Sequence, residues 1–183
     1  MKKLLVLLTL IFSLQSLSIS TGEVLYNEFA DYYSTADYEV NFCHKNHAKL
    51  LRYLKENGAD LRDIHVLIIQ QDKTKPRLTP QNGLYDNSYA WHVVILYEGI
   101  VYDLNAKYSA DGVALNDYFP YILGYDTKMS NILLRVYEGN TFFEYFFNED
   151  GSQKGYNPGH FIENFLSKNA LSPLITASML KWY

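Results

Sequence analysis

The single cysteine of this chain, Cys43, occupies a position from which its thiol could act as a nucleophile. Asn41 is a residue type that commonly caps helices. The pattern after it predicts a helix over residues 42–57, which Gly58 ends. Cys43 would then be the second residue of that helix, where unpaired backbone N–H groups and the positive end of the helix dipole favour a thiolate. The sequence therefore predicts thiol chemistry if a base lies beside this cysteine.

The helical phase of Cys43 places it on the buried face of the predicted helix. At 100° per residue, Leu50 and Leu54 fall within about 20° of the cysteine around the helix axis. A nucleophile at the mouth of a cleft would have this position, and so would an inert cysteine packed in the core. The residues that face Cys43 decide between these two interpretations.

A candidate base and its partner lie on a predicted β-hairpin. Its two β-type runs are residues 91–96 and 100–104. A two-residue turn at 98–99 would place His92 opposite Asn105. Asp103 would then lie one diagonal step from His92 on the same face, within reach of its side chain. A shift of one residue in the register would separate the two side chains.

An aspartate beside a histidine fixes the imidazole tautomer and stabilises its cation, so that the histidine can take the proton of a thiol. The chain order of a helix-borne Cys43, a strand-borne His92 and a strand-borne Asp103 is typical of such a nucleophilic site. The structural alternative is that Asp103 ends a strand and that His92 lies at the surface.

Several segments of the chain resemble one enzyme family. Residues 41–46 (Asn-Phe-Cys-His-Lys-Asn) look like the Cys-x-x-Asn helix of protein N-terminal glutamine amidohydrolases. Residues 91–96 and 101–105 look like that family's His strand and its Tyr-Asp-Leu-Asp strand. A weaker likeness continues through 142–147 and 161–166, so the resemblance extends in order over most of the chain that follows the predicted signal peptide.

The resemblance implies a papain-like fold with a triad of Cys43 as nucleophile, His92 as base and Asp103 as the group that orients the imidazole. It also implies a cysteine amidohydrolase that converts a glutamine side chain, N-terminal or protein-bound, into glutamate through a thioester. The expected partner is a protein or peptide that carries glutamine, and no cofactor is expected.

Two other functions stay open. The family has acidic residues after its cysteine, whereas this chain has His44 and Lys45. Together with the predicted export, this difference keeps open a papain-like peptidase or a transglutaminase-like acyl transferase, because both use the same thiol chemistry. A non-catalytic binding module of the same fold is a further hypothesis.

The other histidines are not expected to act in catalysis. His44 and His47 are three residues apart on the predicted helix, and zinc needs three or four convergent ligands, so no metal site is expected. His65 lies in an apolar run and is expected in the core. His160 opens a helix and is expected to cap it or to lie at the surface.

The remaining pattern predicts the α+β class. The other predicted elements are helices over 23–36 and 160–166, a strand over 64–69, and a second hairpin of 132–137 and 141–147. Helices first and hairpin-linked strands afterwards indicate N-terminal helices packed on an antiparallel sheet, as in papain-like or transglutaminase-like cores. A long loop over 71–89 is expected near the site.

Residues 1–20 have the plan of a secretory signal peptide. Two lysines precede an apolar run over 4–14, which is too short to span a bilayer comfortably, and small residues follow at 18–20. An uncleaved N-terminal anchor is the alternative interpretation. Residues 21–183 are then expected to form a single domain, secreted or periplasmic and free of the membrane after cleavage. One cysteine excludes an intramolecular disulfide in that domain.

Composition limits the partners. The 183 residues carry a net charge of −4 and are 48% hydrophobic and 16% aromatic, which is typical of a globular chain and not of a disordered one. An acidic chain without a cluster of lysine and arginine is a poor candidate for binding nucleic acid or anionic membranes.

Overall fold

The fold is built on one antiparallel sheet. The computed structural model describes residues 20–35, 37–71, 83, 91–107, 110–123, 132–169 and 175–176. The helices in these ranges are α1 (Thr21–Thr35), α2 (Cys43–Glu56), α3 (Leu115–Leu123), α4 (Gly139–Phe146) and α5 (Phe161–Lys168). The strands are β1 (His65–Gln71), β2 (Trp91–Tyr97), β3 (Ile100–Tyr102), β4 (Val113–Ala114), β5 (Ile132–Glu138) and β6 (Ile175–Thr176). The sheet has the order β4-β3-β2-β1-β5-β6 with antiparallel neighbours, which confirms the α+β class.

The hairpin of β2 and β3 has the register that the sequence predicts. The paired residues next to the turn are Leu96 with Val101 and Tyr97 with Ile100. Both residues of the turn have positive φ, 44° at Glu98 and 79° at Gly99, as a type I′ turn requires. Strand β3 ends at Tyr102, two residues earlier than predicted, because the chain turns away from β2 there.

Helix α4 replaces the predicted second hairpin. The prediction of β5 is confirmed, but the return strand over 141–147 is wrong. Phe142, Phe143 and Phe146 recur at the three- and four-residue spacing of one helix face, and all three are buried. The first and last of these rings pack against Phe161 of α5. Aromatic content favours a strand, but here the helical period of the buried rings decides the structure.

Helix α2 carries Cys43 and ends at Glu56, one residue before the predicted end, and Gly58 terminates it as predicted with a φ of 100°. The Gly58 N–H donates to the Lys55 carbonyl at 3.1 Å, and the Ala59 N–H donates to the Leu54 carbonyl at 3.0 Å. These two hydrogen bonds form a Schellman motif, in which glycine takes the left-handed conformation. The helix packs on β2 and against α1 and α4.

The sheet separates two hydrophobic cores. Val93 and Ile95 of β2 face the first core, which α1, α2, α4 and α5 cover. Val94 and Leu96 face the second core, to which α3 contributes. His92, near the start of β2, is two residues before Val94 and so lies on the same face of the sheet as Val94 and Leu96. His92 is therefore on the side of the sheet that faces α3.

Two predictions fall largely outside the described residues. The predicted signal peptide lies there except for Ser20, and the predicted loop over 71–89 lies there except for Gln71 and Gly83. Within the part of the chain that the structure describes, no helix combines the length and the apolar character needed to cross a membrane.

Candidate functional site

Helix α2 begins at Cys43 itself. Phe42 occupies the N-cap position, and its side chain makes no capping hydrogen bond. The prediction of Asn41 as the cap, with Phe42 as the first helical residue, is therefore wrong by one residue. Asn41 has a φ of 67°, in the left-handed region that asparagine tolerates, so it forms the turn into the helix.

Asn46 fixes the chain that leads into α2. Its side-chain amide donates to the Glu39 carbonyl at 2.8 Å and accepts from the Glu39 N–H at 3.1 Å. The Glu39 carboxylate binds the ammonium groups of Lys45 and Lys49 at 2.6 and 2.7 Å. The segment before Cys43 is thus held through its main chain and its side chain, which positions the start of the helix.

Cys43 has the buried position that its helical phase predicts. It is 3% exposed and lies in the first core with Leu50 and Leu54. The Asn46 N–H donates to the Phe42 carbonyl at 2.9 Å and is the first bond of the helical ladder. The N–H groups before it, including that of Cys43, have no acceptor within the helix. Such groups at a helix start can stabilise an oxyanion that forms on a substrate.

His92 and Asp103 are in direct contact. His92 Nε2 lies 3.0 Å from Asp103 Oδ2, and the two residues are 2% and 1% exposed. The predicted proximity is confirmed, although a turn after β3 produces it and not a continued strand. In this turn the Ala106 N–H donates to the Asp103 carbonyl at 3.1 Å.

Two further donors bind the Asp103 carboxylate. The Tyr118 hydroxyl donates to Oδ2 at 2.8 Å, and the Asn105 N–H donates to Oδ1 at 2.8 Å. Tyr118 comes from α3 and was not predicted as a site residue. The signal available for it was weak: a buried tyrosine hydroxyl needs a hydrogen-bond partner, but the sequence does not name that partner.

A second buried histidine, His47, also lies at this site. Its Nε2 is 3.8 Å from Asp103 Oδ1, and its Nδ1 is 2.8 Å from the Cys43 carbonyl oxygen. The Leu104 N–H donates to His47 Nε2 at 3.3 Å. The position of His47 one helical turn after Cys43 was the one sequence signal for this arrangement.

The charges of His92 and Asp103 stabilise each other. Burial lowers the pKa of His92, but the charge and hydrogen bond of Asp103, with a hydrogen bond and charge from Cys43, raise it from 6.5 to about 10. Burial raises the pKa of Asp103, but the charge and hydrogen bond of His92, with His47 and the Asn105 N–H, bring it below its ordinary value of 3.8. At neutral pH the pair is therefore an imidazolium and a carboxylate.

Cys43 completes a chain of three side chains. Asp103 binds Nε2 of His92, and the thiol of Cys43 lies close enough to the same imidazole to raise its pKa. A thiol on one ring nitrogen and a carboxylate on the other can form a thiolate–imidazolium pair, in which the sulfur is nucleophilic. The structure brings together all three predicted site residues.

The other histidines take no part in this chain. His44 is 1% exposed and stacks on Phe161 with ring centroids 4.3 Å apart. Burial lowers the pKa of His44 to about 4, and neither ring nitrogen has a hydrogen-bond partner among the described residues. His65 is half-buried at the first position of β1, so its prediction as a core residue is wrong, whereas His160 is exposed beside Glu163. Within the described ranges, no group of three or more histidine, cysteine or acidic side chains is arranged to hold a metal ion.

The chain matches no protein-family model, and no curated protein is significantly similar to it. The resemblance to N-terminal glutamine amidohydrolases therefore depends on local motifs. The cysteine of the first motif and the histidine and aspartate of the two hairpin motifs are the residues that meet at this site.

The raised pKa of His92 predicts that part of the stability depends on pH. The contribution of protonated His92 is fully present below pH 6.5 and is lost as the pH rises towards 10. We expect the free energy of unfolding of the wild-type protein to fall relative to that of Asp103→Asn across this window, because the variant lacks the carboxylate that raises the pKa. Urea denaturation at a series of pH values measures both curves. Parallel curves would contradict the assignment.

Proposed function

We propose that this protein is an exported cysteine amidohydrolase that deamidates glutamine side chains of peptides or proteins. The observation that carries the proposal is one buried imidazole that binds the Asp103 carboxylate at 3.0 Å and whose pKa is also raised by the neighbouring thiol of Cys43. The choice of the glutamine amide as substrate comes from the sequence motifs around Cys43, His92 and Asp103. Export comes from the signal-peptide pattern of residues 1–20.

In the first half of the proposed reaction, the Cys43 thiolate attacks the carbon of the side-chain carboxamide. His92 holds the proton that the thiol has lost, and Asp103 stabilises the resulting cation. The tetrahedral intermediate collapses when its C–N bond breaks, and ammonia leaves with a proton from His92. The product is a thioester between Cys43 and the former glutamine.

In the second half, water cleaves the thioester. His92, now neutral, takes a proton from the water as the oxygen attacks the thioester carbon. The C–S bond then breaks, the thiolate of Cys43 is restored beside protonated His92, and glutamate leaves. The N–H of Cys43 is the expected donor to the oxyanion in both halves, because it has no acceptor within its own helix.

A peptidase and an acyl transferase are the competing proposals. Both would use the same three residues, and they differ in the bond that breaks or in the acceptor that takes the acyl group. Mass spectrometry of a glutamine-bearing peptide separates the three. Deamidation adds about 1 Da because an amide becomes an acid, proteolysis cuts the chain, and acyl transfer replaces ammonia with an amine and adds the difference between their masses.

The first prediction of this proposal concerns Cys43. We expect the wild-type protein to release ammonia from peptides that carry N-terminal or internal glutamine, and we expect Cys43→Ala to release none, because no other thiol exists in the chain. An enzyme-coupled ammonia assay with both peptide types makes the measurement. Equal release by the two proteins would refute the deamidase.

The second prediction concerns Asp103. Asp103→Asn keeps the shape of the side chain but removes its charge and permits the wrong imidazole tautomer, so we expect turnover to fall at least about tenfold with little loss of fold. Asn105→Ala is the matched control, because it keeps the main-chain N–H that binds Asp103 and should have the smaller effect. Single-turnover acylation measures both variants. Full activity in Asp103→Asn with none in Asn105→Ala would show that the third member of the triad is wrong.

A further inference from the structure

We infer that His47 is a positioning residue for the nucleophile: its imidazole joins the first turn of α2 to the turn that carries Asp103. This inference rests on the proposed function in one respect, since it gives His47 a part in the same site. It adds a fourth side chain to the three that the sequence motifs identify.

The two ring nitrogens of His47 bind the main chain of two separate elements. Nδ1 lies 2.8 Å from the carbonyl oxygen of Cys43, and Nε2 lies 3.3 Å from the backbone nitrogen of Leu104. Cys43 is the first residue of α2, and Leu104 directly follows Asp103. One buried ring therefore sets the distance between the residue that bears the thiol and the residue that bears the carboxylate.

The contacts with Cys43 and Leu104 favour one tautomer of His47, and the backbone of Tyr102 also forms a hydrogen bond with the ring. A backbone N–H can only donate, so Nε2 accepts from Leu104 and carries no proton, and Nδ1 carries the proton that it donates to the Cys43 carbonyl. Burial lowers the pKa of His47 to about 4, which agrees with a neutral ring. The same ring is 0% exposed.

When His47 is neutral, the negative charge of Asp103 pairs with the His92 imidazolium. The charged or titratable groups that act on His47 are Asp103, whose Oδ1 is 3.8 Å away, and His92, whose ring centroid is 6.2 Å away. A protonated His47 would form a second ion pair with Asp103 and would repel the His92 imidazolium. The neutral tautomer avoids both effects while it holds the backbone of Leu104.

The alternative is that His47 only fills space, and His44 provides the matched control. Both histidines are buried on the first turns of α2, but the ring nitrogens of His44 have no hydrogen-bond partner among the described residues. A phenylalanine in place of His44 keeps a ring stacked on Phe161. If burial alone matters, the two positions should respond alike to this substitution.

The test uses alkylation of Cys43 by iodoacetamide, which reports the reactivity of a single thiol because the chain has no other. Three variants of His47 are compared. His47→Phe removes the hydrogen bonds with Cys43 and Leu104. The amide of His47→Gln extends as far as Nε2 and can still accept from Leu104, and the shorter amide of His47→Asn extends as far as Nδ1 and can still donate to the Cys43 carbonyl. The rate is measured across pH, and circular dichroism and thermal melting check the fold. His44→Phe and the wild-type protein are measured in parallel.

We expect His47→Phe to slow alkylation at neutral pH about tenfold and to move the pH profile upwards, because small displacements of reacting groups reduce rates steeply. His44→Phe should keep the wild-type rate and profile. His47→Gln should recover more of the rate than His47→Asn, since the contact with Leu104 is the one that places Asp103. If His47→Phe does not fold, this comparison of Gln and Asn variants decides the question.

A folded His47→Phe with the wild-type rate and pH profile would overturn the inference, and so would equal rates in the Gln and Asn variants. Alkylation needs no glutamine substrate, so its outcome is independent of the deamidase proposal. A wild-type protein that releases no ammonia would refute the proposed function, while a slow His47→Phe would still support the role of His47.

Discussion

The carboxylate of Asp103 carries a full negative charge at a place from which water is almost excluded. A buried charge is tolerated only when it is paired and hydrogen-bonded, and removal of one partner from a buried ion pair typically costs about 3–5 kcal/mol. Asp103 meets this requirement with three donors, from the ring of His92, the hydroxyl of Tyr118 and the backbone of Asn105. The rest of the site follows from the need to bring these donors together.

This requirement connects elements that are distant in the sequence. Strand β2 provides the imidazole, the turn after β3 provides the carboxylate, and α3 reaches the same oxygen from the second core through Tyr118. Helix α2 lies on the first core and brings Cys43 close to His92. The positive charge that Asp103 induces on His92 is then next to the thiol. In the proposed function, the interaction that stabilises the carboxylate would also activate the nucleophile.

The parts of the site that depend on local rules could be predicted from the sequence. The turn at 98–99 determines the register of the hairpin, and the helical period determines the phase of Cys43. The contacts of Tyr118 and His47 could not be predicted, because they join elements whose relative placement depends on packing across the sheet. Helix α4 shows the same limit, since its phenylalanines have high β-propensity and only their burial on one face reveals the helix.

The protonation state of His92 tests the account most directly. ¹⁵N NMR of the ring nitrogens, recorded from about pH 5 to 11, reports whether both carry protons and where they titrate. The account predicts a doubly protonated His92 at about pH 8 in the wild-type protein, between the ordinary value of 6.5 and the raised value of about 10, and a lower titration midpoint in Asp103→Asn. A neutral His92 at pH 8 in the wild-type protein, with the same midpoint in the variant, would contradict it.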